Sequence, residues 1–270
     1  MKAWLRSLKK HLKIYLIFLK MNLVAQMEFR INFITNILVE MGYLLAKALY
    51  VIVIYRTGVQ INGMSADAVL IFIGTYTLMT GLYMGLFFIN FIHFSEMVGN
   101  GDLDLLIPRP VSTLFMATLR YFNFGLPIPN LIGGIAMICI GWKRLGVSCD
   151  PAHVAGFALA SVSGIVMIYA LFLLPQLLCF MAIKMRGINE LSNALWDLNN
   201  MPMGIYPEKI QRAGTLVIPI FLISNFSPLL VMGKLSPIEQ IWGFCAPFLL
   251  LAITIFFWRK SIKHYSSAGG

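Results

Sequence analysis

Glu40 and Lys47 are the two charged residues in an otherwise apolar run, Ile31–Tyr55, and they stand seven residues apart. On a helix that spacing puts both on one face, two turns apart. Ionisable groups at membrane depth are costly unless compensated, so such a pair marks a functional or an orienting feature. Two readings are open. The pair neutralises itself, directly or through a third group, and orients its helix; or Glu40 lines a substrate path and favours cationic or amphiphilic cargo. A lone carboxylate makes a poor proton relay. Of the four histidines, His11, His153 and His264 fall in loops or tails, and His93 sits at the mouth of an apolar run, where an interfacial hydrogen bond suits it. Cys139, Cys149, Cys179 and Cys245 show no CxxC or Cys/His ligand spacing and read as small packing residues. The sequence contains no G-x-x-x-x-G-K-[ST], HExxH or GxSxG motif. No catalytic residue, metal site or cofactor is therefore expected in the chain itself.

The elements that hold these residues follow from composition. Of 270 residues, 59% are hydrophobic and 12% charged, against roughly 25% charged in a soluble domain. With a mean hydropathy of +0.80, one soluble core lacks the volume to hide this much apolar surface. An all-α polytopic membrane protein is expected, since spanning helices satisfy their own backbone and the runs lack the alternation of barrel strands. Six spans are read, at residues 31–55, 68–92, 121–142, 154–183, 213–233 and 240–258. Residues 1–30 carry Trp4, Leu5, Leu8, Leu12, Tyr15, Leu16 and Leu19 at helical spacing, with Lys2, Arg6, Lys9, Lys10, Lys13 and Lys20 on the other faces. They read as an uncleaved amphipathic helix lying on the inner leaflet, a topology anchor or a gating element. Sixteen Lys and Arg fall in segments that a cytoplasmic N-terminus places inside and four in those it places outside. Both termini are thus expected in the cytoplasm, in a bacterial inner membrane, with 184–212 also inside. The bases are dispersed between spans, so nucleic acid is not an expected partner. Residues 1–270 read as one transmembrane domain. Gly81 and Gly85 make a GxxxG face for close helix packing, within the subunit or across a dimer. Pro127, Pro129, Pro175, Pro219, Pro228 and Pro247 break backbone bonds at depth, as a moving conduit tolerates.

After the second span comes a short amphipathic cytoplasmic piece, residues 93–110, whose Gly101-Asp102-Leu103-Asp104-Leu105-Leu106-Ile107-Pro108-Arg109-Pro110 resembles the G-[ED]-L-D-x-L-L-x-[RK]-P signature of type-2 ABC exporter permeases. Pro108 departs from the aliphatic residue of that pattern. Pro202, Tyr206, Pro207, Arg212, Pro219 and Pro228, and the closing Tyr265, Ser267 and Gly269, are similar to blocks of the small six-helix multidrug or viologen exporter branch. The resemblance implies a permease subunit of an ATP-driven exporter, paired with an identical or related permease and with two cytosolic ABC ATPase subunits that hold ATP and Mg. It implies a coupling helix at about Phe94–Leu106, with Phe94, Glu96, Asp102, Leu103, Asp104, Leu105 and Leu106 as coupling residues. Glu96, Asp102 and Asp104 would face basic ATPase residues, and Arg109 would sit at the hinge into the third span. The alternative is an ATPase-independent secondary transporter or channel using Glu40. A membrane-embedded transferase would need a polar catalytic cluster, which the sequence lacks.

Overall fold

The computed structural model describes residues 2–58, 60–61, 63–181 and 185–265, so Ser267, Gly269 and the last residues of the fourth predicted span lie outside the described residues. Among the described residues there are eleven α-helices and no β-strand, and the all-α polytopic expectation holds. Four helical stretches are long and apolar enough to cross a membrane: Arg30–Thr57, Ala66–Asn100, Pro151–Phe180 and Pro237–Lys263.

Local chemistry sets their ends. Helix α1 covers Lys2–Glu28 and α2 covers Arg30–Thr57. Gly58, at φ +65°, stops α2 in the left-handed region that glycine tolerates. Ser65 caps α3 (Ala66–Tyr83) by accepting from the Ala68 N–H. From α3 the chain runs through a π turn, Met84–Phe88, into α4 (Ile89–Asn100). This is one rod of 35 residues, about 50 Å long at helical rise. Helix α5 is Thr113–Thr118, α6 Pro127–Leu145 and α7 Pro151–Gln176. Helices α8 (Met185–Leu198), α9 (Glu208–Leu216) and α10 (Phe226–Val231) precede α11, Pro237–His264. Helix α11 opens on a capping box between Ser236 and Glu239, with Pro237 in its first turn.

Helix α6 packs antiparallel on α3 at backbone distance. A Cβ on Gly134 would lie 2.8 Å from the Gly74 carbonyl oxygen and 2.7 Å from the Leu78 nitrogen. One on Gly81 would meet Asn130 at 3.0 Å, and one on Gly85 would meet Pro127 at 3.1 Å. The GxxxG face is therefore occupied inside the subunit. Antiparallel packing gives the bundle two ends. The first gathers Thr57, Ala66, Leu145, Pro151 and Pro237; the second gathers Asn100, Phe180 and Lys263. Lysine-rich α1 lies at the second end, where the Lys10 ammonium reaches the Pro110 carbonyl.

Two predicted spans are corrected. The third does not begin as helix at Tyr121; residues 119–126 are irregular, and α6 starts at Pro127. The segment 213–233 is not one continuous helix. It breaks into the end of α9, a 3-10 turn at Ile220–Leu222 and α10. Its two ends both lie near the first end of the bundle, since Trp242 in the second turn of α11 donates to the Thr215 carbonyl at 2.8 Å and Val231 packs with Trp142. Pro219 and Pro228 remove the backbone donors a continuous helix would need. Between the second end and that segment the chain passes through α8, Met185–Leu198. It starts beside Gln176, whose side chain donates to Ser192 at 3.4 Å. It ends with Trp196 stacked on Tyr83 at 4.4 Å, and Met201 beyond it meets the Tyr50 hydroxyl. The loop placed wholly inside, 184–212, thus runs from the second end to the first, carrying Lys209 and Arg212 with it. Hydropathy gave no signal for α8 because it is half polar; its buried Ser192 is met by the Gln176 amide, a partner invisible in sequence.

Candidate functional site: the loop after the second span and the intramembrane polar path

The loop is built on the end of the long rod. Gly101, at φ +81°, ends α4 and a 3-10 turn covers Asp102–Leu105. Leu103 and Leu106 are buried, which anchors the turn to the core (a fully buried leucine contributes about 2–3 kcal/mol). Phe94 is fully buried too, with ring centroids 6.0 Å from Phe180 and 5.9 Å from Trp258. What remains outside is a tip of Asp102, Asp104, Leu105, Ile107 and Arg109. The Arg109 side chain folds back to donate from Nε to the Leu105 carbonyl at 2.9 Å. Glu96, also exposed, pairs with His93 at 3.0 Å.

This corrects the expected coupling helix. There is no separate helix at Phe94–Leu106: the chain stays in the rod to Asn100 and then turns. Phe94, Leu103 and Leu106 are buried within this chain. Helical apolar spacing does not say whether a face meets the core or another protein. The C-terminal end of α11 closes on the same loop. The Tyr265 hydroxyl is buried and, among the described residues, has no hydrogen-bond partner. Burial pushes its phenol above the ordinary range, and the charges of Asp104 and Asp102 add to the shift.

The second arrangement surrounds Glu40, which is 8% exposed. Its carboxylate accepts from the Asn130 amide at 2.6 Å, and the Lys47 ammonium donates to the Asn130 carbonyl oxygen at 3.4 Å. Lys47 also lies 5.0 Å above the Tyr76 ring. A neutral amide on α6 thus bridges the acid and the base of α2. Sequence reading left Asn130 unused, although an asparagine inside the apolar run Tyr121–Trp142 was a visible signal. The same holds for the amides that satisfy the irregular approach to α6. Asn90 donates to the Tyr121 carbonyl at 2.7 Å and accepts from its N–H at 2.8 Å. The carbonyl of Gly85, in the π turn, accepts from Asn123 N–H at 3.2 Å. Broken backbone at this depth persists only with such partners. Among the described residues no group of three or more His, Cys, Asp or Glu side chains gathers as a metal site would need.

Four helical stretches long and apolar enough to cross a membrane define a multi-pass membrane protein. Residues 41–269 match the family described as ABC-2 family transporter protein, and the chain belongs to that family. Membership implies partnership with ABC ATPase subunits. No curated protein and no solved structure matches the chain.

Proposed function

We propose that this chain is the permease subunit of an ATP-driven exporter, of the small multidrug-exporter-like branch, in the bacterial inner membrane with both termini cytoplasmic. Two cytosolic ABC ATPase subunits, holding ATP and Mg, dock on the loop 101–110, and a second permease, identical or related, completes the path for a drug or lipid cargo. The observation that carries this reading is the loop itself. Two buried leucines fix an exposed acidic and apolar tip to the end of a continuous helix, so a push on Asp102, Asp104 or Leu105 is transmitted along a rod. Arg109 holds the return of the chain. The inner mouth adds Glu96 as a further acidic contact. A second permease is supported by α8, whose buried face bears Ile188, Ser192 and Trp196 while Asn193 and Asp197 are exposed on the other side. A carboxylate at membrane depth needs water or protein rather than lipid beside it. For Glu40 and Lys47, bridging by Asn130 supports an orienting role over ion coupling.

The test is co-purification of the full chain in mild detergent with its native cytosol, beside the double variant Asp102→Lys, Asp104→Lys. An ABC ATPase should accompany the wild type and be lost from the variant. A chain that purifies alone and still moves cargo would sink the reading and make Glu40→Gln the next variant to measure.

A further inference from the structure

A cavity that the loop 101–110 does not touch points to the class of cargo. Helix α1 meets α2 at Phe29, whose ψ of 59° bends the chain. Against that bend lies the irregular approach to α6, and between them is a cavity of 220 Å³ whose lining includes Asn22, Gln26, Asn32, Asn36 and Asn123. Three of these amides are committed to backbone. Asn22 donates to the Arg120 carbonyl at 2.9 Å, Gln26 donates to the Phe122 carbonyl and accepts from Phe124 N–H, and Asn123 accepts from Leu126 N–H at 3.0 Å. Asn32 and Asn36 are not. Among the described residues neither has a hydrogen-bond partner.

Asn32, Asn36 and Glu40 follow each other at four-residue spacing, one stripe on a helix whose other face exposes Ile31, Ile34, Leu38 and Met41. The level is that of Gly85, which pairs with Asn123, about 30 Å along the rod from its first end. That is the thickness of the hydrocarbon layer, so the cavity opens at the headgroup level of the lysine-rich side. Asn32 is exposed and Asn36 half-buried, so both carboxamides are open to a ligand that brings matching donors and acceptors. The charges along the stripe balance. Exposed Glu28 and Arg30 border a wider opening that shares Phe29 and Asn32 with the cavity, and deeper in, Glu40 and Lys47 are joined through Asn130. Along α2 each level offers one acid and one base, which favours a ligand with no net charge; the further cation beside the cavity, Arg120, lies over the lining Tyr121 ring at 5.5 Å.

We propose that this cavity receives the uncharged, hydroxyl- or amide-bearing headgroup of an amphiphile, entering sideways from the membrane while its chains stay in lipid against the apolar face of α2. The inference rests on the exporter reading and names the cargo class for it. Asn32 and Asn36 are then binding residues, and the stripe toward Glu40 is the start of the headgroup's route.

The test uses the full chain in phosphatidylcholine vesicles with two photoactivatable lipids of identical chains, a diacylglycerol glucoside and an anionic phosphatidylglycerol. The glucoside should label peptides containing residues 22–36 and 121–126 in clear preference to the anionic lipid. In the double variant Asn32→Leu, Asn36→Leu that labelling should fall roughly tenfold, as the loss of two hydrogen bonds predicts, and Asn→Gln at both sites should restore part of it. Equal labelling by both lipids, preference for the anionic one, or labelling indifferent to the leucine variant would overturn the proposal. The comparison of lipids on the wild type needs no variant to fold. ATPase co-purification, measured on the same preparations, reads the exporter assignment separately: retained ATPase with no glucoside preference sinks the cavity alone, and glucoside labelling with no ATPase sinks the exporter alone.

Discussion

Helix α2 and the rod of α3 and α4 are both strongly apolar, with mean hydropathies of 2.0 and 1.6 in their membrane-spanning windows, yet 11% of the first window is buried and 72% of the second. In α2 the side chains that face protein are Glu40, Val51 and Ile54, while its leucines and isoleucines largely face outward. In the rod, leucine, phenylalanine, glycine and threonine alike are enclosed. The contrast separates two roles of apolarity in a membrane. For α2 the apolar surface has lipid or a partner chain as its solvent, and the polar residues are what need protein. For the rod, close backbone approach against α6 and aromatic packing against α7 and α8 do the enclosing.

The sharpest way to break that contrast is to cut the buried polar bridge between α2 and α6. Asn130→Leu leaves Glu40 and Lys47 unbridged and should cost about 3 kcal/mol, seen as a lower midpoint of thermal unfolding in detergent; an unchanged midpoint would mean that α2 is held by something else. Next is the pair Leu103→Ala and Leu105→Ala. The first empties a fully buried site and should destabilise by about 2–3 kcal/mol, while the exposed second leaves stability unaltered and weakens ATPase capture. Equal effects on melting would show that the turn is not anchored as described.

A smaller difference sharpens the comparison of the two helices directly. A Cβ at Gly134 meets backbone atoms at 2.7 and 2.8 Å, whereas at Gly42 on α2 nothing lies within 4 Å. Gly134→Ala should therefore cost about 2 kcal/mol through overpacking, and Gly42→Ala should be neutral or slightly stabilising. Smallest is Tyr265→Phe, which removes a buried hydroxyl without a partner and should change stability by less than about 1 kcal/mol, toward gain. Clear destabilisation would reveal a hydrogen bond from Tyr265 to the loop carboxylates.

Legibility in the sequence differed from region to region. The exposed acids Asp102 and Asp104 stood out because a Gly-Asp-Leu-Asp-Leu-Leu run between two apolar blocks has an evident use only outside the membrane. Which of its leucines turn inward was hidden, because a 3-10 turn after a left-handed glycine changes the period that a helical reading assumes. Glu40 and Lys47 were visible as charges in an apolar run. Their bridge was not, since Asn130 lies ninety residues from Glu40 and only the antiparallel packing of α6 brings it there.

What the sequence determined alone was the solvent and the class: apolar runs of spanning length fix an all-α membrane protein, and the loop signature pointed to the family that residues 41–269 match. The tertiary structure decided which segments cross. Residues 213–233 are apolar but proline-broken, and they stay near the first end; α8 is half polar, and it packs inward because Gln176 and the Tyr83 ring meet its Ser192 and Trp196 side chains. Transfer to lipid is a property that each segment carries by itself, whereas satisfying a polar group at depth depends on which other segment stands beside it.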